Sequence, residues 1–156
     1  MTQLELTDKV AIITGASRGI GAAIARTYLE AGARVAISSR KLENVQAVAS
    51  EMNTAYPGRV LPLQSHAAAR EETQRLVEDT VAHFGRLDIA VNNAATNPHF
   101  GPLLNSEPSQ WDKIIDVNVK GYFWLCQVAG QQMQKQGTGG KIINVASITG
   151  LRPGPM

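Results

Sequence analysis

The stretch TGASRGIG, Thr14 to Gly21, closes a β-branched run, KVAIITG, and opens into IGAAIARTYLEAG. The run reads as a short strand buried on both faces and ended by glycine. The segment after it has apolar residues at Ile20, Ile24 and Tyr28 and stops at Gly32, the pattern of a helix with a glycine stop. Gly15, Gly19 and Gly21 therefore stand where the chain turns from strand into helix. Glycine accepts positive φ and lets an anion approach the backbone, while the unpaired N–H groups of a helix start attract negative charge. A pyrophosphate fits such a turn, although a plain tight turn would use the same residues. The placement after a first strand and before a helix is the context that dinucleotide binding demands. The spacing, G-x-x-x-G-x-G, differs from the common G-x-G-x-x-G, and no Gly-Lys-Ser/Thr follows, which disfavours a P-loop NTPase.

Outward from this turn the same alternation repeats. RVAIS, RVLPLQ, LDIAVNN and KIINVA read as four more strands, and LENVQAVASEM, REETQRLVEDTVAHFG and SQWDKIIDVNVKGYFWLCQVAGQQMQ as the helices between them. The GTGG before Lys141 reads as a helix-to-strand turn, not as a linker. Strands that alternate with helices, without hairpin signals, predict parallel strands joined by right-handed crossovers. The expected fold class is α/β, a doubly wound open sheet in one domain over residues 1–156.

The second strand ends in Ser38, Ser39, Arg40 and Lys41. A carboxylate at this tip would bind a ribose 2′-hydroxyl and repel a 2′-phosphate, but none is present. Arg40 and Lys41 follow at once, and Arg18 in the glycine turn can reach the same corner. Guanidinium groups offer phosphate a rigid fork of donors, so NADP(H) is expected over NAD(H). The plainer reading makes Arg40 and Lys41 solvated residues ahead of a helix.

Four motifs now stand in order: TGASRGIG, NNAA at Asn92 to Ala95, VNVKG at Val117 to Gly121 and INVAS at Ile143 to Ser147. Together they resemble the short-chain dehydrogenase/reductase family from about Lys9 onward. The resemblance implies a Rossmann-type sheet, of order 3-2-1-4-5 for the strands present, and interconversion of a carbonyl and an alcohol. It implies that Gly15, Ser17, Arg18, Gly19, Ile20 and Gly21 line the pyrophosphate and ribose side, Ser39 and Arg40 the 2′-phosphate, and Asn93 with Ala94 the inner ribose. Two positions depart from the family. Ala95 replaces the last glycine of NNAG, which is expected to alter a loop angle. His66-Ala67 replaces an Asp-Val that meets the adenine, which leaves His66 expected at the surface.

Asn118 falls on the apolar stripe of Trp111, Ile114, Ile115, Tyr122, Leu125 and Ala129. A buried amide must find partners, and it can do so as a core asparagine, at a helix kink or at a functional water. The resemblance assigns it to holding a water behind a catalytic lysine. Ser147, leaving the fifth strand, is by composition a turn former; by resemblance it positions the substrate oxygen. The tyrosine acid/base of the family, in a Tyr-x-x-x-Lys pair, has no counterpart here, since Tyr28, Tyr56 and Tyr122 have no lysine four residues on. The sequence thus reads as the cofactor half of such an enzyme, roughly 100 residues short of a full member. An apolar edge at the fifth strand would follow from that, with a tendency to pair with another chain. Full-length members are expected as homo-oligomers.

Other functions fit less well. A non-catalytic dinucleotide-binding module, a sensor or regulatory partner, would explain the absent tyrosine. A nucleotide-sugar epimerase-like protein would have another glycine spacing and lack NNA. A net charge of +2 is too weak to argue for nucleic acid or anionic lipid. No run reaches the roughly 18 apolar residues of a bilayer span, and the acidic start MTQLELTDKV argues for a cytoplasmic protein. One cysteine, Cys126, and three scattered histidines match no metal-site spacing, so no metal is expected.

Overall fold

The structure, a computed structural model, describes residues 5–152. Five strands, β1 (Val10–Thr14), β2 (Arg34–Ser39), β3 (Val60–Gln64), β4 (Ile89–Asn92) and β5 (Lys141–Asn144), form one sheet of order β3-β2-β1-β4-β5. Every pairing is parallel, as the strand–helix alternation requires. The helices are α1 (Gly19–Glu30), α2 (Leu42–Ala55), α3 (Arg70–Phe84), α4 (Pro108–Ile114) and α5 (Gly121–Lys135). This is the doubly wound, Rossmann-like arrangement expected.

Period-2 alternation divides the core between the two faces of the sheet. Ala11, Ile13, Val35, Ile37, Ile89 and Val91 pack with α1 and α2 through Ala22, Ala25, Leu29, Val45, Ala49 and Met52. Ile12, Ala36 and Ala90 point to the other face and meet Leu76 and Val77 of α3 and Leu125, Val128 and Ala129 of α5. All five residues of β1 are buried, which fits a central strand covered twice over. Pro62 lies within β3, where it is tolerated because β3 is an outer strand and one side of its ladder is free.

Two expected faces are corrected. In α1 the packed residues are Gly21, Ala22, Ala25 and Leu29, whereas Ile24 and Tyr28 are half-buried and Ile20 is 65% exposed. Small residues let the helix lie close on the sheet, so the larger side chains are displaced to its flank. The single long helix read from SQWDKIIDVNVKGYFWLCQVAGQQMQ is interrupted by a π-helical turn at Ile115–Lys120. Such a turn closes i→i+5 bonds and shifts the register of everything before it by one residue. Trp111 is accordingly 61% exposed instead of continuing the buried stripe of Leu125 and Ala129.

Helix ends follow the glycines. After α1, Ala33 N–H donates to Tyr28 O (2.9 Å) and Gly32 N–H to Leu29 O (3.1 Å), a Schellman closure with Gly32 at φ +102°. Arg59, at the start of β3, donates from Nη2 to Leu29 O (2.6 Å) and Ala33 O (2.7 Å), which ties this end of α1 to the outer strand.

Candidate functional site

The carboxyl ends of β1, β2, β3 and β4 open together into a cleft of about 490 Å³. Its floor is the glycine turn. Gly15 has φ +66°, and a Cβ there would stand 2.8 Å from Ala94 Cα. At Gly21 a Cβ would stand 2.6 Å from both Asn93 Nδ2 and Gly15 O. Neither position has room for a methyl group. Gly19 differs, because its φ of +57° calls for glycine while the space around it is open.

Thr14 holds this floor to the loop after β4. Its Oγ1 accepts N–H bonds from Asn93 and Ala94, both at 3.1 Å, and donates to Val91 O at 3.3 Å. Asn93 in return donates from Nδ2 to Thr14 O (2.9 Å) and Gly15 O (3.2 Å). The turn is thus pinned from beneath, and the start of α1 faces the cleft. Arg18, the residue before α1, is extended and makes no side-chain cap. The first N–H groups of the helix therefore remain an anion-binding terminus. The loop angle expected to change at Ala95 does not require glycine, since among the described residues Asp8 alone has positive φ without being glycine.

A second hollow, about 750 Å³, adjoins the first along Ser17, Arg18, Ser39 and Arg40 and continues to Lys41 and α2. Among the described residues, Arg18, Arg40 and Lys41 have no carboxylate within 4.0 Å. Glu43, in the first turn of α2, is the one acidic side chain on its wall. The Ser39 hydroxyl is engaged locally, donating to Lys41 O at 2.6 Å.

All ten residues expected to hold the cofactor, Gly15, Ser17, Arg18, Gly19, Ile20, Gly21, Ser39, Arg40, Asn93 and Ala94, line the first cleft. So do Ser65, His66, Ala67, Ala95, Thr96, Lys113 and Val117, which were not assigned. His66, expected at the surface, is half-buried and lines the cleft. The turn that carries it is closed by Ala69 N–H to His66 O (2.8 Å) and by His66 N–H to Glu72 Oε2 (2.7 Å). Lys113, an exposed lysine on α4, carries no sequence signal that separates it from a solvated one.

Asn118 and Ser147 do not line the cleft. Asn118 clamps the peptide of Thr96, accepting its N–H on Oδ1 and donating from Nδ2 to its carbonyl, both at 2.9 Å. The clamp joins the π-helical turn to the loop after β4, with Val117 beside it on the cleft wall. Ser147 precedes a 3₁₀ turn, Ile148–Gly150, where its Oγ accepts from Thr149 N (3.2 Å) and lies 2.7 Å from Thr149 Oγ1. It is exposed at the carboxyl side of the sheet. Nearby, Tyr122 OH donates to Val145 O at 2.9 Å, and burial raises the pKa of this phenol, so it acts as a fixed donor.

The sequence profile of the short chain dehydrogenase family matches residues 9–156. The chain belongs to that family. It is 40% identical over 148 residues to dehydrogenase/reductase SDR family member 4 of Oryctolagus cuniculus, covering 95% of this chain and 56% of the relative. The Homo sapiens protein of the same name is 40% identical over 151 residues, with 96% and 53% covered. A crystal structure of a short-chain type dehydrogenase/reductase from Mycobacterium marinum superposes with a TM-score of 0.90 at 36% identity, over 96% of this chain and 58% of that one. The chain therefore spans just over half the length of these short-chain dehydrogenase relatives. Family membership implies a nicotinamide dinucleotide, NAD or NADP, as cofactor. The glycine floor fits that group, since Gly15, Gly19 and Gly21 line the cleft beside the start of α1, whose first N–H groups carry no side-chain cap.

Proposed function

We propose that the protein takes part in hydride exchange between NADP(H) and a small carbonyl or alcohol substrate, with NADP(H) preferred over NAD(H). The observation that carries this reading is the side-chain-free floor at Gly15 and Gly21, opening onto a corner where Arg18 and Arg40 have no ion-pair partner among the described residues. The main-chain N–H groups at the start of α1 face a pyrophosphate, and the two guanidiniums take a 2′-phosphate through paired donors. Asn93 and Ala94 border the inner ribose. The nicotinamide, when bound, supplies or accepts the hydride. Ser147 exchanges its contact with Thr149 for the substrate oxygen and orients it, while Asn118 fixes the cleft wall through Thr96 and borders the path of the catalytic proton. The tyrosine and lysine that deliver this proton in the family pattern are not among these 156 residues. The exposed Trp111, Val119 and Phe123 around α4 and α5 support a homo-oligomer, and the same reading keeps the protein in the cytoplasm.

Titration calorimetry tests the cofactor preference. NADPH is expected to bind about 10–100-fold more tightly than NADH, and Arg40→Asp to remove that advantage. Tighter binding of NADH by the unmodified protein would overturn the preference.

A further inference from the structure

The outer edge of the sheet is formed by β3, which pairs with β2 alone. Arg59 O accepts from Val35 N–H (2.8 Å) at its start, and Ser65 N–H donates to Ser39 O (2.9 Å) just past its end. In a strand the N–H and C=O of one residue point to the same side, and those of the next residue to the other. Positions 59, 61, 63 and 65 therefore face β2, while Val60, Pro62 and Gln64 turn their main chain to the free edge. Such a row of N–H and C=O groups is a template for a further strand, and charged side chains are the common protection against it. VLPLQ, from Val60 to Gln64, carries no charge at all.

Two other residues occupy the edge. Asn53, in the last turn of α2, lays its side-chain amide along Val60: Oδ1 accepts the Val60 N–H (3.3 Å) and Nδ2 donates to the Val60 carbonyl (3.1 Å). These are the bonds that the main chain of a sixth strand would make to Val60, supplied instead by a helix of the same chain. Pro62, two positions on, has no N–H to offer a partner. The third outward residue, Gln64, donates its side-chain Nε2 to Arg40 O (3.2 Å) and keeps its main-chain N–H for the edge. One outward position is thus clamped, one lacks its donor and one stays open.

We infer that Asn53 and Pro62 close the β3 edge against a second copy of this chain, which would otherwise pair with it antiparallel about a two-fold axis near position 62. A second copy is the occupant shut out, because an uncharged edge meets its twin without repulsion and a two-fold contact sets the same outward residues against one another. The closed edge also keeps one flank of the cleft clear, since Ser65 and His66, which line it, follow Gln64 directly.

Amide hydrogen exchange and sedimentation velocity test this on the unmodified protein, Pro62→Val and Asn53→Ala/Pro62→Val. The Gln64 amide localises a contact to this edge, which matters because all four residues of β5, at the opposite edge, are exposed. Its exchange rate in the unmodified protein is expected not to depend on protein concentration. Concentrating the doubly substituted protein is expected to slow it about tenfold as dimers form, and concentrating Pro62→Val, which loses no hydrogen bond, about threefold. Adding Gln64→Pro to the double substitution removes the last outward donor and is expected to restore the sedimentation of the unmodified protein. A Gln64 rate independent of concentration in every variant that folds would overturn the inference, as would dimers that persist after Gln64→Pro. A concentration-dependent Gln64 rate in the unmodified protein would do the same, since it would show the edge open. The clamp has a check of its own that needs no variant: the side-chain amide protons of Asn53 are expected to exchange about tenfold more slowly than those of the exposed Asn44. Equal rates would rule the clamp out.

Discussion

At Gly21 a methyl group has nowhere to go, because Asn93 Nδ2 and Gly15 O both stand 2.6 Å from where its carbon would lie. At Gly19 the same methyl group would meet nothing, yet φ is +57°. The two substitutions therefore separate crowding from backbone strain. Gly21→Ala is expected to lower stability by about 1–3 kcal/mol through overpacking, and to weaken coenzyme binding as the floor shifts. Gly19→Ala is expected to cost about 1 kcal/mol, the penalty of a left-handed residue with a side chain. Chemical denaturation of both variants checks the ranking. Thr14 is the third residue to probe, since one hydroxyl accepts two N–H bonds and donates a third. Thr14→Val keeps the shape and removes all three. It is expected to destabilise by about 1–3 kcal/mol, the penalty for stranding buried donors. The glycines were readable from the sequence because strand-to-helix turns have few solutions. Thr14 was not, because a threonine at the end of a strand looks like any other strand residue.

Among the elements, the interrupted helix from α4 to α5 shows what periodicity cannot reach. The π-helical turn at Ile115–Lys120 places Asn118 against the peptide of Thr96, so the loop after β4 and the helix form one wall. The sequence marked Asn118 as a polar residue on an apolar stripe. Its partner was out of reach, because nothing local ties position 118 to position 96. Asn118→Ala is expected to free the Thr96 amide, raising its hydrogen-exchange rate about 5–10-fold as the two side-chain bonds are lost. An unchanged rate would mean that the loop holds itself. At the opposite end of the sheet, Arg59 joins β3 to the last carbonyls of α1. Its guanidinium also sits 5.4 Å over the Tyr56 ring. Arg59→Ala is expected to lower stability by about 1.5–3 kcal/mol, the range for charge-assisted bonds, and thermal unfolding measures it.

Across the whole molecule the amino-terminal edge of the sheet is closed by Asp88. Its Oδ2 accepts from Val10 N–H (2.9 Å) and Arg86 Nε (2.8 Å), and its Oδ1 from Arg86 Nη2 (2.5 Å). Its main chain pairs with both neighbours, donating to Val10 O and accepting from Lys141 N–H. Burial pushes the carboxyl pKa up, but the bonds from Arg86 and Val10 and the charges of Arg86 and Lys9 outweigh it and leave the value below normal. A depressed carboxyl pKa means that the unfolded chain takes up the proton more readily than the folded one. The stabilisation is therefore complete above the unfolded value, about pH 4, and is lost as pH falls through the folded value. Asp88→Asn is expected to destabilise the protein near pH 7 and to differ progressively less from the unmodified protein below about pH 4. A gap that stays constant across that range would show that the carboxylate charge is not what matters.

What the sequence determined by itself was the order of strands and helices, the parallel sheet, the glycine turn and the cationic corner. Each of these depends on local backbone preference or on a repeat of two or about four residues. Tertiary structure decided which face of α1 is packed, where the long helix breaks and which residues close the cleft. His66, Thr96 and Lys113 come from three separate segments, and Asp88 reaches Val10 across 78 positions of chain. Such neighbours are chosen by how the layers stack and by which polar atoms must be satisfied once water is excluded. That requirement belongs to the folded whole, and no window of sequence contains it.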